Sequence, residues 1–307
     1  MSGCGRKMAL LSSGIAKTAL RPESKDSFMP EVSMTDAEFR HLSELVTLES
    51  GIKLPLVKKT MLTSRLLKRL KALGIGSFEE YIRFVKSGQG RADELFNMID
   101  AVSTNKTDFF REPAHFDYLF SEALPSLYGA GHAAKPRIKI WSAGCSTGEE
   151  AYSIAMVAAE YAASHPFDYA VLASDISNRA LTRGMRAVYG PSEVGQIPEL
   201  YTKKYLMRGK ASWEGFFRVV PELRAKVNFR RISLIEKNID IGSRMDIIFC
   251  RNVVIYFDRD RQTELFMKLF DLTAPGGYLF IGHSETLDGI NCDYVRIAPT
   301  IYRKEAR

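Results

Sequence analysis

The chain has 307 residues, of which 46% are hydrophobic and 26% charged, a composition that argues against a disordered, collagen-like or coiled-coil protein. The 43 lysines and arginines exceed the 36 acidic residues by seven, so we expect a partner with an acidic surface: nucleic acid, a membrane surface or an acidic protein face. The four cysteines form no CxxC pair, and the apolar runs fall short of the roughly 20 residues of a membrane helix. We therefore expect a cytoplasmic protein without disulfides or membrane insertion.

The first third of the chain reads as a tail followed by helices. Residues 1–30 are rich in Ser, Gly, Lys and Pro without a sustained period, which predicts a flexible tail. From residue 33 onward apolar residues recur at steps of three and four, and Gly51 ends the first helix. Glycines separate three further predicted helices, at 57–73, 77–87 and 91–102. The sequence thus predicts an all-helical N-terminal domain over 31–103.

Beyond about residue 104, short β-rich runs alternate with helical stretches. Four runs have the length and composition of buried parallel strands: 137–142, 169–174, 245–250 and 277–282. Helical patterns separate them, at 148–164, 177–187 and 259–273. This alternation predicts an α/β fold over 104–307 with a doubly wound sheet. We also expect an edge strand within 294–303 and an insertion over 188–231 with its own small β-element.

A glycine-containing turn follows the first predicted strand. Residues 138–150 read Ile-Lys-Ile-Trp-Ser-Ala-Gly-Cys-Ser-Thr-Gly-Glu-Glu and lead into a helix, which is typical of the nucleotide-binding opening of a doubly wound sheet. The turn has neither the Lys-Ser/Thr pair of a P-loop nor the full glycine pattern of a dinucleotide site. Glu149 and Glu150 at the helix start would repel a pyrophosphate and suit a ligand with a positive group.

The second predicted strand ends with a carboxylate. Asp175 stands at the carboxyl edge of the sheet, where an acidic residue can accept hydrogen bonds from ribose hydroxyls. The alternative interpretation is a helix N-cap for the segment that starts at Ser177. Together with the preceding turn, Asp175 favours an adenosyl ligand that carries an amino acid and no phosphates, namely S-adenosylmethionine.

Four motifs carry a resemblance to a known family. They are Ser-Thr-Asn-Lys-Thr-Asp-Phe-Phe-Arg-Glu at 103–112, Trp-Ser-Ala at 141–143 with Thr-Gly-Glu-Glu-Ala-Tyr-Ser-Ile-Ala at 147–155, Phe-Cys-Arg-Asn-Val-Val-Ile-Tyr-Phe at 249–257, and Gly-His-Ser-Glu at 282–285. With them the chain resembles the CheR family, the glutamate O-methyltransferases of chemotaxis receptors, from about residue 31 to 303. The resemblance implies a Rossmann-like class I methyltransferase domain, S-adenosylmethionine as the methyl donor, S-adenosylhomocysteine as the product, and no metal.

The resemblance also implies site residues. The cofactor site would contain Asn105, Thr107, Arg111, Glu150, Asp175, Ser233, Leu234, Asn252 and Val253. Ser233 departs from the family, which often has Asn there, so a hydroxyl would replace an amide that both donates and accepts. Two residues are assigned catalytic roles: Arg111 would hold the substrate carboxylate as a fork, and Tyr256 would hydrogen-bond it or lie near the methyl group. His283 is left out of the catalytic set, because a structural hydrogen-bonding role accounts for it equally well.

Two segments carry most of the positive charge. Residues 57–74 contain six basic residues and no acid, and Leu62, Leu66, Leu70 and Leu73 form a separate apolar stripe on a helical wheel. A solvated helix face is one interpretation, but the absence of acid favours a free docking face. The residues predicted to form it are Lys58, Arg65, Lys68 and Arg69. The resemblance implies that this face meets the acidic methylation helices of chemoreceptors.

Residues 201–231 hold nine basic residues against two acidic ones. The resemblance implies that the inserted β-element can bind a C-terminal receptor peptide by strand addition, and the alternating run 216–220 is predicted to offer the edge. We therefore predict a monomeric enzyme that methylates glutamate side chains of chemoreceptors and has no nucleic acid partner. The alternatives are a signalling module that binds S-adenosylmethionine without turnover and, less favoured, an RNA methyltransferase.

Overall fold

The computed structural model describes residues 32–87, 91–129 and 137–305, so the predicted tail at 1–30 lies outside the described residues. The described chain begins with four helices: α1 (Asp36–Ser50), α2 (Lys59–Leu73), α3 (Phe78–Lys86) and α4 (Arg91–Val102). Their bounds agree with the predicted helices to within three residues. The caps explain this agreement: Thr35 and Glu38 form a capping box at the start of α1, and Gly51 ends α1 with a φ of 76°.

The helices pack through the apolar stripe of α2. Leu62, Leu66 and Leu70 are buried, and α2 packs against α4. Leu73, which was predicted to join the stripe, is 37% exposed because α2 ends at the next residue, Gly74.

The rest of the chain alternates strands and helices. The strands in chain order are β1 (Ile138–Ala143), β2 (Tyr169–Asp175), β3 (Val188–Tyr189), β4 (Leu206–Arg208), β5 (Phe217–Val219), β6 (Val227–Arg231), β7 (Met245–Cys250), β8 (Thr273–Ile281), β9 (Tyr294–Ala298) and β10 (Ile301–Lys304). The helices are α5 (Pro113–Tyr118), α6 (Leu124–Gly129), α7 (Glu149–Ala162), α8 (Asn178–Arg186), α9 (Pro191–Val194), α10 (Glu199–Tyr205), α11 (Pro221–Arg224) and α12 (Arg259–Leu272). A π-helical turn, Leu119–Ala123, joins α5 to α6.

Seven strands form the main sheet, in the order β6-β2-β1-β7-β8-β10-β9. The first five are parallel, and β10 and β9 continue the sheet as an antiparallel hairpin. Side chains of α7 pack in one core cluster with Ile140 and Phe249, and side chains of α12 pack in a second cluster with Ile248 and Leu279. Because neighbouring residues of a strand face opposite sides of a sheet, helices cover both faces, which confirms the doubly wound α/β fold. None of the helices in the described ranges is long and apolar enough to cross a membrane.

The segment 188–231 differs from the prediction in two ways. Val227–Arg231 is the β6 strand of the main sheet and pairs in parallel with β2, so the small β-element ends before it. The periodicity did not reveal β6, because it is an edge strand with alternating exposed polar residues. The small sheet has the order β3-β5-β4, so Phe217–Val219 is its central strand. The run 216–220 therefore offers no free edge, and the outer strands are β3 and β4.

The C-terminal run 294–303 contains two strands rather than one. A turn at Pro299 and Thr300 separates β9 from β10, and β10 rather than β9 pairs with β8. The sequence analysis also assigned no helix between the predicted helical domain and the first strand, where α5 and α6 lie. With the π-helical turn they form one helical stretch over 113–129, and the sequence analysis missed it although the buried residues Phe116, Leu119, Ala123 and Leu127 recur at steps of three and four.

Candidate active site

A cavity opens at the carboxyl ends of the parallel strands. The chain runs outward from β1 through β2 to β6 and then returns to β7, so the strand order reverses between β1 and β7. Ligands of doubly wound sheets bind at such a reversal. The cavity has a volume of about 1110 Å³, including the part open to solvent. Residues that follow β1, β2, β6 and β7 line it, together with residues 102–108 and side chains of the helical part.

The turn between β1 and α7 needs its first glycine for two reasons. Gly144 has a φ of 87°, which disfavours other residues. A Cβ atom built on Gly144 would also lie 2.3 Å from Cγ2 of Val253, which lines the cavity from the loop after β7. The β1–α7 turn and the loop after β7 therefore lie so close together that a side chain at Gly144 would not fit between them.

Asp175 ends β2 and lines the cavity, as predicted. Its carboxylate accepts the backbone N–H groups of Ser146 and Ser177, both at 2.9 Å. Ser177, whose hydroxyl accepts the Ala180 N–H, is the N-cap of α8, so the N-cap interpretation of Asp175 was wrong. Burial raises the pKa of Asp175, while the hydrogen bonds from the two serine N–H groups oppose that rise.

An apolar wall adjoins Asp175. Ile176, Ile232 and Leu234 line the cavity, so Leu234 lies where it was predicted. Ser233 does not line the cavity: its side chain is buried, and its hydroxyl has no hydrogen-bond partner within the part of the chain that the structure describes. The structure thus does not bring Ser233 to the cavity that the other predicted cofactor residues line.

Ser146 joins the β1–α7 turn to the segment before α5. It has a φ of 49°, and its hydroxyl donates to the Asn105 carbonyl oxygen at 3.1 Å. The Asn105 amide in turn lies 3.4 Å from the Ser177 hydroxyl, and Asn105 and Thr107 both line the cavity. Ser146 thus positions both Asn105 and Asp175, a role that the sequence analysis did not assign.

The two glutamates at the start of α7 point to different environments. Glu150 lines the cavity and accepts the Ser142 hydroxyl at 2.6 Å. Glu149 is 2% exposed, and both of its carboxylate oxygens accept the Thr147 hydroxyl. Burial raises the pKa of Glu149 to about 7. Only Glu150 is therefore available to a ligand in the cavity.

Arg251 is a buried cation that the sequence analysis quoted in a motif without giving it a role. Its guanidinium lies 3.0 Å from the Glu112 carboxylate and 3.3 Å from that of Glu150, and it also donates to the Arg111 carbonyl oxygen. Burial raises the pKa of Glu150, and the Arg251 charge opposes that rise. The sequence does contain a signal for the role of Arg251, because this arginine directly follows the apolar strand 245–250. A charge at such a position is expected to be buried, and a buried charge needs partners.

Glu285 fixes the loop after β7. Its buried carboxylate accepts backbone N–H groups of Asn252, Val254 and Gly282 at 3.0, 3.0 and 2.6 Å. Asn252 has a φ of 57°, an unfavourable value that persists only where neighbours hold the residue in place. Glu285 thereby positions Asn252 and Val253, both of which line the cavity as predicted.

The two residues with predicted catalytic roles both line the cavity. Arg111 is exposed, and among the described residues its side chain forms only one long hydrogen bond, 3.4 Å, to the Lys106 carbonyl oxygen. Tyr256 is half-buried in the short helical turn Val254–Tyr256, with the Lys58 ammonium 5.8 Å from its ring centre. Both side chains are thus accessible to a second molecule at the cavity.

The predicted docking face is only partly free. Arg69 forms two hydrogen bonds, of 3.0 and 2.5 Å, with the Glu94 carboxylate of α4, and Arg65 donates to the Val102 and Ser103 carbonyl oxygens. The prediction that both arginines are free was wrong, because acceptors come from another part of the chain. Lys58 is half-buried and lines the cavity, whereas Lys68 is exposed.

Comparisons with known proteins agree with this architecture. The all-alpha domain of CheR methyltransferases matches residues 37–103, and the S-adenosylmethionine-binding domain of CheR methyltransferases matches residues 105–302. A chemotaxis protein methyltransferase of Salmonella typhimurium is 36% identical over 88% of this chain and 91% of its own length. One from Borreliella burgdorferi is 36% identical over 92% and 99%, and the chemotaxis protein methyltransferase 2 of Pseudomonas aeruginosa is 39% identical over 83% and 88%. The chain belongs to the CheR family of S-adenosylmethionine-dependent chemotaxis methyltransferases.

Proposed function

We propose that this protein transfers the methyl group of S-adenosylmethionine to glutamate side-chain carboxylates of chemoreceptors. Family membership supports methylation in chemotaxis. The observation that carries the finer proposal is the pairing, in one cavity, of the carboxylates Glu150 and Asp175 with the accessible side chains of Arg111 and Tyr256. The first pair suits a cationic adenosyl donor, and the second suits an anionic substrate.

The residues fit the donor group by group. Asp175 stands next to the apolar wall of Ile176, Ile232 and Leu234, an arrangement suited to a ribose with its adenine. Glu150, close to the buried Arg251, supplies a carboxylate for an ammonium group. When bound, S-adenosylmethionine supplies a methyl group on a positively charged sulfur.

The substrate side needs orientation rather than proton transfer. A glutamate side chain has an ordinary pKa near 4.3, so it is already ionised at neutral pH and no general base is required. Arg111 can hold such a carboxylate with two parallel N–H donors, and the Tyr256 hydroxyl can donate a further hydrogen bond. Lys58 and Lys106, which also line the cavity, add positive charge that attracts an acidic helix.

The test uses labelled S-adenosylmethionine with cytoplasmic fragments of chemoreceptors, and it scores base-labile label on the protein. We expect Arg111→Ala and Tyr256→Phe to slow methyl transfer more than they weaken binding of S-adenosylhomocysteine. For Arg111→Ala the loss should be about 100-fold, since two charge-assisted hydrogen bonds are removed. Arg296→Ala, at an exposed arginine on the edge strand β9, is the matched control.

The possible outcomes separate the proposed function from its alternatives. Label on RNA would support an RNA methyltransferase, and tight cofactor binding without label on any receptor fragment would support a signalling module. Unchanged turnover in Arg111→Ala or in Tyr256→Phe would refute the role of that residue.

The proposed receptor surface includes Lys58 and Lys68, which take no part in the ion pairs that join α2 to other described segments. Lys68→Glu should raise the KM for receptor fragments several-fold at low ionic strength, without changing thermal stability, because only the encounter with an acidic partner is affected. Equal KM values for Lys68→Glu and the wild type would exclude Lys68 from the interface.

A receptor peptide that binds by strand addition would pair with β3 or β4, the outer strands of the small sheet.

A further inference from the structure

Three side chains with metal-binding atoms converge beside the cavity. Glu112 and His115 lie at the start of α5, and His283 follows β8. Oε2 of Glu112 lies 3.5 Å from Nδ1 of His115 and 3.8 Å from Nε2 of His283, and the three ligand atoms all lie within 4.8 Å of one another. Ligand atoms of a tetrahedral zinc ion, at about 2.0–2.1 Å from the metal, are separated by about 3.3 Å.

The hydrogen bonds of Thr300 accommodate a proton on Nε2 of His115. The Thr300 hydroxyl lies 2.7 Å from the Pro299 carbonyl oxygen, which can only accept. When the hydroxyl donates there, Nε2 of His115, 2.8 Å from the same hydroxyl oxygen, donates to it. This leaves Nδ1 of the neutral ring with a lone pair that faces the Glu112 carboxylate.

Two buried acceptors thus face each other without a hydrogen between them. His115 is 1% exposed, and neither its Nδ1 nor Oε2 of Glu112 has a hydrogen-bond partner among the described residues. Oε2 of Glu112 has the Arg251 guanidinium 3.0 Å away, so Nδ1 of His115 is the buried ligand atom that is left without any partner among the described residues.

The surrounding charges and backbone are compatible with a divalent ion. Arg251 lies 3.0 Å from Oε2 of Glu112, outside hydrogen-bond geometry, and it also pairs with Glu150. The charge of Arg251 is thus shared between two carboxylates. Glu112 and Thr300 both have left-handed backbones, with φ of 59° and 58°, which is a sign that the fold holds the two residues in place.

From this geometry we propose that Glu112, His115 and His283 form a binding site for a zinc-like transition-metal ion. Two imidazoles and one carboxylate are ligands that zinc, cobalt and nickel bind well, whereas magnesium and calcium prefer oxygen-only sites. Thr300 is the outer partner that holds the His115 ring in the binding tautomer. The His283 side chain is 59% exposed, so the ion enters from solvent and a fourth coordination position stays open. The sequence analysis expected no metal, whereas this proposal assigns a metal-binding site to the chain.

The experiment titrates the tag-free full-length chain with Zn²⁺ by calorimetry and with Co²⁺ by visible absorption. We expect one equivalent of either ion, with a Co²⁺ spectrum of nitrogen and oxygen ligands. His283→Ala should weaken Zn²⁺ binding at least 10-fold and should still fold, because the side chain lies at the surface. His41→Ala, at an exposed histidine of α1, is the matched control and should bind as the wild type does.

A second pair of variants tests the tautomer argument. Thr300→Ala should weaken Zn²⁺ binding about 10–100-fold, as loss of an outer partner does, whereas Thr300→Ser should retain it. Absence of saturable Zn²⁺ binding in the wild type would overturn the proposal. So would equal affinity in His283→Ala, or Co²⁺ charge-transfer bands of a thiolate that vanish in Cys4→Ser, since the ion would then lie elsewhere.

Discussion

Replacement of Arg251 by Gln removes the buried cation that two carboxylates share. The guanidinium is 3.0 Å from Glu112 and 3.3 Å from Glu150, so each attraction is worth about 5 kcal/mol at an effective dielectric constant of about 20. The cost of taking the guanidinium out of water offsets several kcal/mol of that sum. Since the variant keeps two buried carboxylates without a cation, we expect a loss of about 3–5 kcal/mol in the free energy of unfolding at pH 7.5.

The assay is urea unfolding followed by tryptophan fluorescence, because Trp141 is fully buried in the strand that leads to the cavity. Arg251→Lys keeps the positive charge without the fork of donors and should lose less stability than Arg251→Gln. Arg296→Gln, at the exposed control position, should change the free energy of unfolding by less than about 0.5 kcal/mol.

The pH dependence gives the sharper test. Although burial raises it, the Arg251 charge brings the pKa of Glu112 below its ordinary value, so this carboxylate stabilises the wild type above its unfolded pKa. Without Arg251 the folded pKa values of Glu112 and Glu150 rise above their unfolded values. The deficit of Arg251→Gln should therefore be largest near pH 7.5 and shrink towards pH 4.5. A deficit below about 1 kcal/mol, or one that does not change with pH, would refute the reasoning.

Three further predictions concern single contacts. Gly144→Ala should lower stability by about 1–3 kcal/mol and weaken S-adenosylhomocysteine binding, because its Cβ would meet Val253; unchanged affinity in calorimetry would contradict this. Burial raises the pKa of Glu149 from 4.5 to about 7 in the folded state, so ionisation of this carboxylate lowers the free energy of unfolding as pH rises through that interval. Glu149→Gln has no such carboxylate. Its free energy of unfolding in urea should therefore rise relative to that of the wild type by up to about 3 kcal/mol between pH 4.5 and 8. Arg69→Gln should lose about 3 kcal/mol because Glu94 is buried, and a thermal midpoint equal to that of the wild type would show that the pair contributes nothing.

The sequence predicted best what depends on local pattern. The helices α1 to α4 and the buried strands followed from caps and periodicity, and Asp175 followed from its place directly after a strand, whereas Asn252 followed from the family resemblance. It failed where a distant segment decides the outcome. The segment of α2 contains no acid, yet Arg69 is paired, because Glu94 comes from another helix.

Edge position explains the other differences. The strand Val227–Arg231 pairs on one side only and exposes its polar residues, so its composition resembles that of a loop. At position 233 a serine stands where the family often has asparagine. The effect of Ser233 depends on where its side chain points, and no pattern in the sequence predicts that direction. Arg251, Glu112 and Glu285 lie far apart in sequence, and only the fold brings their charges to one place.

The helical part contributes to the cavity that the sheet creates. Lys58 and Met61 line it, the Lys53 N–H donates to the Tyr256 carbonyl oxygen, and Gly51 packs so closely on Phe257 that a Cβ atom would lie 2.8 Å from the ring. The two family domains are therefore not separable modules in the functional sense. A fragment that begins at residue 104 would lose one wall of this cavity, so the helical part cannot be exchanged for another domain without rebuilding the cavity.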